Sequence, residues 1–444
     1  VNKLSKRRIS EKINITNPVK IKQIYNKTAL PNGIRIVTEE IPHVRSLSLG
    51  FWIDTGSQNE TEENNGISHF IEHMAFKGTK KRSAREIAQS IESVGGYLNA
   101  FTSKEHTCFY ARVLDEHLEL AMDILSDIVF SSTFPRKELE KEKQVVIEEI
   151  KRAEDDPDDI IHDYFDKVLF KDHPLSMPVL GREETVKLYS RRSLFQYRKC
   201  RYTAKNLVIA SAGNITHKKV VELAKKYVGK IDNDEQKSEK MVNQELGIPN
   251  AVISEYYKPI LQAHICMGTL GMSIRDERRF AMQVLNTLLG DGMSSRLFQN
   301  IREKYGFAYS VYSFNNMMKY TGSTGVYIGT DDSHVLKCMD LVWKELRSIK
   351  KKGISKSELE RTKEQLKGSI MLGMENIPNR MIRLGSSELY FGKFISLDTI
   401  ISGIEAVRRE DVQEIAEQLF SEDRFATVIF HPTQKSKDVE KKVR

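Results

Sequence analysis

His69, Glu72 and His73 stand within five consecutive residues, His69-Phe70-Ile71-Glu72-His73. Two histidines four apart share one face of a helix, so both imidazoles reach a single metal ion. Glu72 leaves the backbone near that face, where its carboxylate takes a proton from a water the metal has activated. Such a metal keeps three protein ligands and one open position, so a further carboxylate must come from elsewhere.

The long acidic segment after Pro135 offers Glu138, Glu140, Glu142, Glu148, Glu149 and Glu154. At helical pitch, Glu149 shares a stripe with Glu142, Val145, Val146 and Ala153, whereas Glu148 falls among Lys141, Gln144, Lys151, Arg152 and Asp155. A carboxylate on an apolar stripe needs a partner to offset its desolvation, and a metal supplies one. Glu149 is therefore the expected third ligand. Glu142, two turns earlier, is the expected carboxylate that orients an imidazole. A charged helix with one awkward register is the alternative.

These side chains need a scaffold. Ile34–Val37 and Leu47–Ile53 read as strands, and a polar loop from Gly56 to Asn65 leads into the histidine helix. A helix over Ala84–Val94, strands Tyr97–Phe101 and Thr107–Val113, and a helix over Leu118–Val129 follow. A long helix from Lys137 to Leu169 is expected to break near Pro157. The second half repeats the order faintly: strand His264–Leu270, helix Arg275–Leu289, strands Tyr309–Phe314 and Thr324–Ile328. Its helix carries no histidine. The economical reading is an α+β fold of two homologous domains, each a mostly antiparallel sheet covered by helices, the first catalytic and the second metal-free.

Length and composition agree. The 444 residues exceed one core, and 40% hydrophobic with 29% charged residues is globular composition. The expected divisions are a basic flexible arm over 1–28, a zinc-binding domain over 29–230, a linker over 231–249, a degenerate repeat over 250–432 and a basic tail over 433–444. Nearly all of the net charge of +8 lies in the arm, where Glu11 alone opposes Lys3, Lys6, Arg7, Arg8, Lys12, Lys20, Lys22 and Lys27. No nucleic-acid reader motif accompanies it, so no nucleic-acid partner is expected, and a targeting segment is the alternative to a solvated arm. No run is long and apolar enough to span a membrane. Cys108, Cys200, Cys266 and Cys338 lie far apart, which points to reduced thiols in a reducing compartment.

The motif, followed by Glu149 at 76 residues beyond His73, resembles the pitrilysin/insulinase family of zinc peptidases, whose inverted motif reverses the commoner H-E-x-x-H. Within it the chain is most similar to short bacterial members and to the β subunit of mitochondrial processing peptidase. The likeness spans about residues 28 to 430 and includes Leu98–Ser103, Ser294–Phe298 and Arg302–Tyr309. It implies one Zn2+ per chain on His69, His73 and Glu149, Glu72 as general base and Glu142 as an acidic helper. It also implies that Asn99-Ala100-Phe101 is an edge strand onto which a substrate peptide adds as a further strand. Arg302 and Tyr309 match a pair that helps hold the scissile carbonyl. Asp159 and Asp163 match acids that read a substrate arginine, although an acidic solvated face explains them equally. His162 with Asp158 offers only a poor second metal site.

The implied activity is a zinc metalloendopeptidase cleaving peptides or unfolded segments, presequence-like and near arginine. The implied place is the bacterial cytoplasm, with the mitochondrial matrix as alternative. Only Gly290-Asp291-Gly292 stands where the processing-peptidase α subunit has a long glycine-rich loop, which suggests a self-sufficient homodimer closing a chamber around the peptide. A partner-dependent or non-catalytic subunit, or a peptide-binding scaffold, is the rival reading.

Overall fold

The structure is a computed structural model that describes residues 24–232, 246–247 and 251–433. Two sheets organise it. The first contains β1 (Ile24–Ala29), β2 (Arg35–Glu40), β3 (Ser46–Ile53), β4 (Tyr97–Thr102), β5 (Thr107–Leu114) and β6 (Leu207–Gly213), in spatial order β1-β2-β6-β3-β5-β4. The second contains β7 (Val252–Lys258), β8 (Ala263–Leu270), β9 (Ala308–Met317), β10 (Gly322–Thr330) and β11 (Ala426–Pro432), in order β7-β11-β8-β10-β9.

The two orders superpose strand for strand once β1 is set aside. Each sheet has a single parallel pair, β2 with β6 and β7 with β11, and is otherwise antiparallel. The helix Ile67–Ala75 connects β3 to β4, and Arg279–Gly290 lies at the matching place between β8 and β9. The chain is an α+β duplication.

Helices cover one face of each sheet with their own half of the chain. Phe51, Phe70, Phe109 and Phe134 are buried in the first such core, and Leu285, Val326, Val342 and Ile415 in the second. The opposite faces are exchanged. Helix Pro157–Phe170 of the first half packs on the second sheet, with Ile161 and Phe165 against Tyr327, Val428 and Phe430. Helix Ile377–Phe391 of the second half packs on the first sheet, with Met381 and Leu384 against Trp52, Val208 and Ala210. Both strand faces are thus buried, so β3 and β6 are buried almost without interruption rather than at alternate residues. Each half completes the other's core.

Three expectations need correction. The arm was expected to run through residue 28, but Ile24–Thr28 belong to β1; Tyr25 stacks on Phe394 at 4.3 Å and Lys27 pairs with Glu388 at 2.8 Å. The helix expected over Arg275–Leu289 begins only at Arg279, because the Asp276 carboxylate accepts the Arg278 N–H and closes a turn there. The Ala84 helix ends at Glu92, and Gly95 follows with a left-handed φ of 68°. The long helix divides where expected, into Arg136–Glu154 and Pro157–Phe170, with Asp156 capping the second. Residues 1–23 of the arm, residues 233–245 and 248–249 of the expected linker and all but the first residue of the tail lie outside the described residues.

Candidate metal centre

Gly66 starts the histidine helix, at φ 94° and so close to Gly181 that an added Cβ would lie 2.6 Å from its Cα. Only glycine fits both demands. Glu60 then accepts the Gly66 and Ser68 N–H groups at 2.6 and 2.8 Å, satisfying donors that the first turn leaves open. Burial lifts the Glu60 carboxyl to about 7, against the downward pull of these donors. Phe70, Ile71 and Met74 anchor the helix in the core.

That anchoring turns His69 and His73 toward one point. Their Nε2 atoms lie 3.1 Å apart, and Glu149 Oε2 lies 3.9 Å from His69 Nε2 and 3.5 Å from His73 Nε2. Ligands at the vertices of a tetrahedral zinc are separated by about 3.3 Å, given Zn–N and Zn–O bonds of about 2.0–2.1 Å. Glu149 Oε2 has no hydrogen-bond partner among the described residues. No other group of three such donors converges among those residues. The residues present fit a zinc ion.

Glu142 Oε1 accepts from His73 Nδ1 at 2.9 Å, which leaves the Nε2 lone pair directed at the centre. Lys77 Nζ holds the other oxygen of Glu142 at 2.7 Å. Burial raises the Glu142 carboxyl, but the bonds to His73 and Lys77 outweigh it and hold the group below its ordinary value. Burial, and then the neighbouring His73, push His69 down to about 3, so its imidazole is neutral as a ligand must be.

Glu72 stands beside this set. Thr102, the last residue of β4, donates its hydroxyl to Glu72 Oε2 at 2.5 Å. Burial raises Glu72 above the ordinary carboxylate range, toward the region where a base works best near neutrality.

The Glu149 stripe differs from its expected character. Val146 is buried, but Val145 is 50% exposed and the Glu149 side chain 43% exposed, so the stripe is part core and part solvent-facing. Asn99, Ala100 and Phe101 lie on β4 at the open edge of the first sheet, the strand that carries Thr102.

Arg302 and Tyr309 meet each other, the guanidinium 5.3 Å from the ring centroid, and Tyr309 is 75% exposed. The polar contacts of His69, His73 and Glu149 include neither. Asp159 is exposed. Asp163 lines a cavity of about 450 Å3 beside Glu154 and Lys167, where burial raises it to about 6. The second-site pairing fails: Asp158 bonds Tyr327 and His264 at 2.6 and 3.0 Å, whereas His162 bonds Tyr312.

Thr102, Lys77 and Glu60 escaped the sequence reading. Thr102 lies thirty residues from Glu72 with no periodic relation to it. Lys77, one turn beyond His73, carried a local signal that reads equally as an ordinary helix-end cation.

A duplicated α+β fold presenting two histidines and a carboxylate beside a half-buried glutamate defines the metallopeptidase class. Residues 35–183 match the family described as insulinase (peptidase family M16), and residues 189–366 match its inactive domain. The chain belongs to this family. It is 45% identical to the uncharacterized zinc protease YmxG of Bacillus subtilis over 90% of this chain and 97% of that one. An uncharacterized zinc protease of Streptomyces coelicolor is 40% identical over 91% of this chain and 89% of its own. In fold it is similar to a protease from Helicobacter pylori, with a TM-score of 0.88 at 22% identity over 92% of this chain and all of that one. A peptidase M16 inactive domain from Pseudomonas fluorescens gives 0.83 at 21% identity, over 92% of this chain and 98% of that one.

Proposed function

We propose that this chain is a zinc-dependent endopeptidase that cleaves extended peptides or unfolded segments. The observation that carries the reading is the convergence of His69, His73 and Glu149 beside Glu72. One zinc per chain would be held by the two Nε2 atoms and the Glu149 carboxylate, supplying a Lewis acid that activates water and polarises the peptide carbonyl.

The chain's own groups do the rest. A substrate strand adds to the open edge of β4 along Asn99-Ala100-Phe101, which reads backbone shape more than side-chain identity. Glu72 removes the proton of the attacking water and delivers it to the leaving amine. Thr102 holds Glu72 in position, and Glu142 fixes the tautomer of His73.

Arg302 and Tyr309, with the Asn99 strand, supply donors to the developing oxyanion. Tyr309 is exposed with Arg302 half-buried beside it, and neither shares the polar contacts of this metal helix, which favours action across a homodimer interface on the partner's site. Asp159 and Asp163 select an arginine near the cut, Asp163 from its half-buried cavity. Three of the four thiols are buried and all are unpaired, which supports a reducing compartment such as the bacterial cytoplasm. No described helix is long and apolar enough to cross a membrane.

The test is cleavage of a quenched, arginine-containing, presequence-like peptide by wild type, Glu72→Gln and chelator-treated protein. Turnover by untreated wild type alone is expected. Binding without cleavage by zinc-loaded wild type would replace the reading with a peptide-binding scaffold.

A further inference from the structure

Strands β4 and β5 turn through Ser103–His106, and β9 and β10 turn through Met318–Thr321. Each turn closes with the same bond, from its first N–H to its fourth carbonyl, at 2.8 and 2.9 Å. The two turns are equivalent by the duplication, and the structure sets them against each other. Both oxygens of Glu105 in the first accept the backbone N–H of Lys319 in the second, at 3.0 and 3.2 Å. Lys319 Nζ reaches back to Asp54 at 3.5 Å. The His106 ring lies 6.1 Å from the ring of Tyr390, which belongs to helix Ile377–Phe391 of the second half.

Glu105 is buried. Burial raises its carboxyl, and the groups that pull against this rise, the Lys319 N–H and then the Tyr390 hydroxyl, both come from the second half. The same place in the other turn holds Tyr320, which is exposed. A buried carboxylate carries a desolvation cost that an exposed side chain avoids. Its use here is to fix one arrangement of the two halves, and it stands only in the half that carries the metal centre.

That arrangement adjoins the chemistry. Ser103 follows Thr102, whose hydroxyl holds Glu72. The Ser103 and Lys104 carbonyls accept the Ser57 and Gln58 N–H groups at 3.3 and 2.9 Å, so the loop leading into the histidine helix leans on the same turn. Gly56 permits this approach, because a Cβ there would lie 2.2 Å from the Ser103 oxygen.

We propose that Glu105 is a positioning residue for the peptidase reaction: through it the metal-free half fixes the β4–β5 turn, and with it the Thr102 hydroxyl on Glu72. The proposal rests on the peptidase reading. It gives the second half a task that needs neither a metal nor contact with the reacting atoms.

A double-mutant cycle on the zinc-loaded full chain tests it, with Glu105→Ala made in wild type and in Thr102→Val. Glu105→Ala should lower kcat by about tenfold with zinc content unchanged, and should cost less than about twofold more in the Thr102→Val background. Glu105→Gln keeps an acceptor for Lys319 and should restore most of the rate. Glu105→Asp keeps the charge but withdraws it from Lys319, and carries the same cycle if Glu105→Ala does not fold. Hydrogen exchange of the β4 amides, read on the same proteins without substrate, should quicken in Glu105→Ala whether or not any peptide is cleaved. Wild type without turnover would end the peptidase reading, and the proposal with it only if exchange is also unchanged. A wild-type kcat in the folded variant, a loss that persists undiminished in Thr102→Val, or unchanged β4 exchange would overturn the proposal.

Discussion

Thr102 Oγ1 donates to Glu72 Oε2, so the last residue of the open edge strand holds the carboxylate beside the metal helix. The strand proposed to receive the peptide thus ends at the residue that holds the proposed base. Thr102→Val should lower kcat by about 10-fold or more with zinc content unchanged, the scale expected for a lost charge-assisted hydrogen bond. Thr102→Ser, which keeps the hydroxyl, should retain most of the rate. Steady-state kinetics on the pair, with metal analysis, decides; equal rates in all three proteins would remove Thr102 from the mechanism.

Glu72→Gln keeps the shape of the side chain and removes its basicity. Turnover should fall by a factor of about 10² to 10⁴, the usual contribution of a positioned base. Bound zinc should remain at the wild-type amount, because the proposed ligands are untouched. An active Glu72→Gln enzyme would sink the base assignment.

Glu142→Gln weakens the bond that orients His73 and leaves Lys77 unpaired. Zinc affinity should drop about 10- to 100-fold, typical when the partner of a ligating imidazole is lost. Competition with a chelating dye measures this directly. Unchanged affinity would mean that the His73 ring is held by packing alone.

Gly66→Ala forces a β-carbon into a left-handed turn and onto the Gly181 backbone. The cost should be about 2 kcal/mol or more, seen as a lower urea midpoint with an unchanged slope. Zinc affinity should fall as well, since this turn sets where the histidine helix begins. A wild-type midpoint would show that the Gly66–Gly181 contact relaxes freely.

Glu358 gives a pH dependence away from the metal. Burial raises its carboxyl, yet Arg296 at 2.9 Å and the capping contacts with Ser355 hold it at about 2. The folded value lies below the unfolded one, so the stabilisation is fully present above about pH 4.5 and is lost as pH falls toward 2. Solvent screening limits the effect to roughly 1 kcal/mol. Urea unfolding at pH 6 and pH 3.5 should show a smaller pH difference for Glu358→Gln than for wild type. An identical difference would show that this group does not couple to folding.

The sequence alone determined the local part of the centre. His69 and His73 share a helical face by their spacing, and Glu149 was separated from Glu148 by periodicity, because a helix converts sequence distance into direction within a few turns. The duplicated order of strands and helices was likewise legible, as was the break at Pro157. Strand neighbours obey no such local rule. Only the tertiary structure paired Thr102 with Glu72 and drew residues 24–28 out of the expected arm into β1. The exchange of helices Pro157–Phe170 and Ile377–Phe391 between the two sheets is of the same kind. An apolar helix face states that it must be buried, but not against which sheet. That choice belongs to the packing of the whole chain.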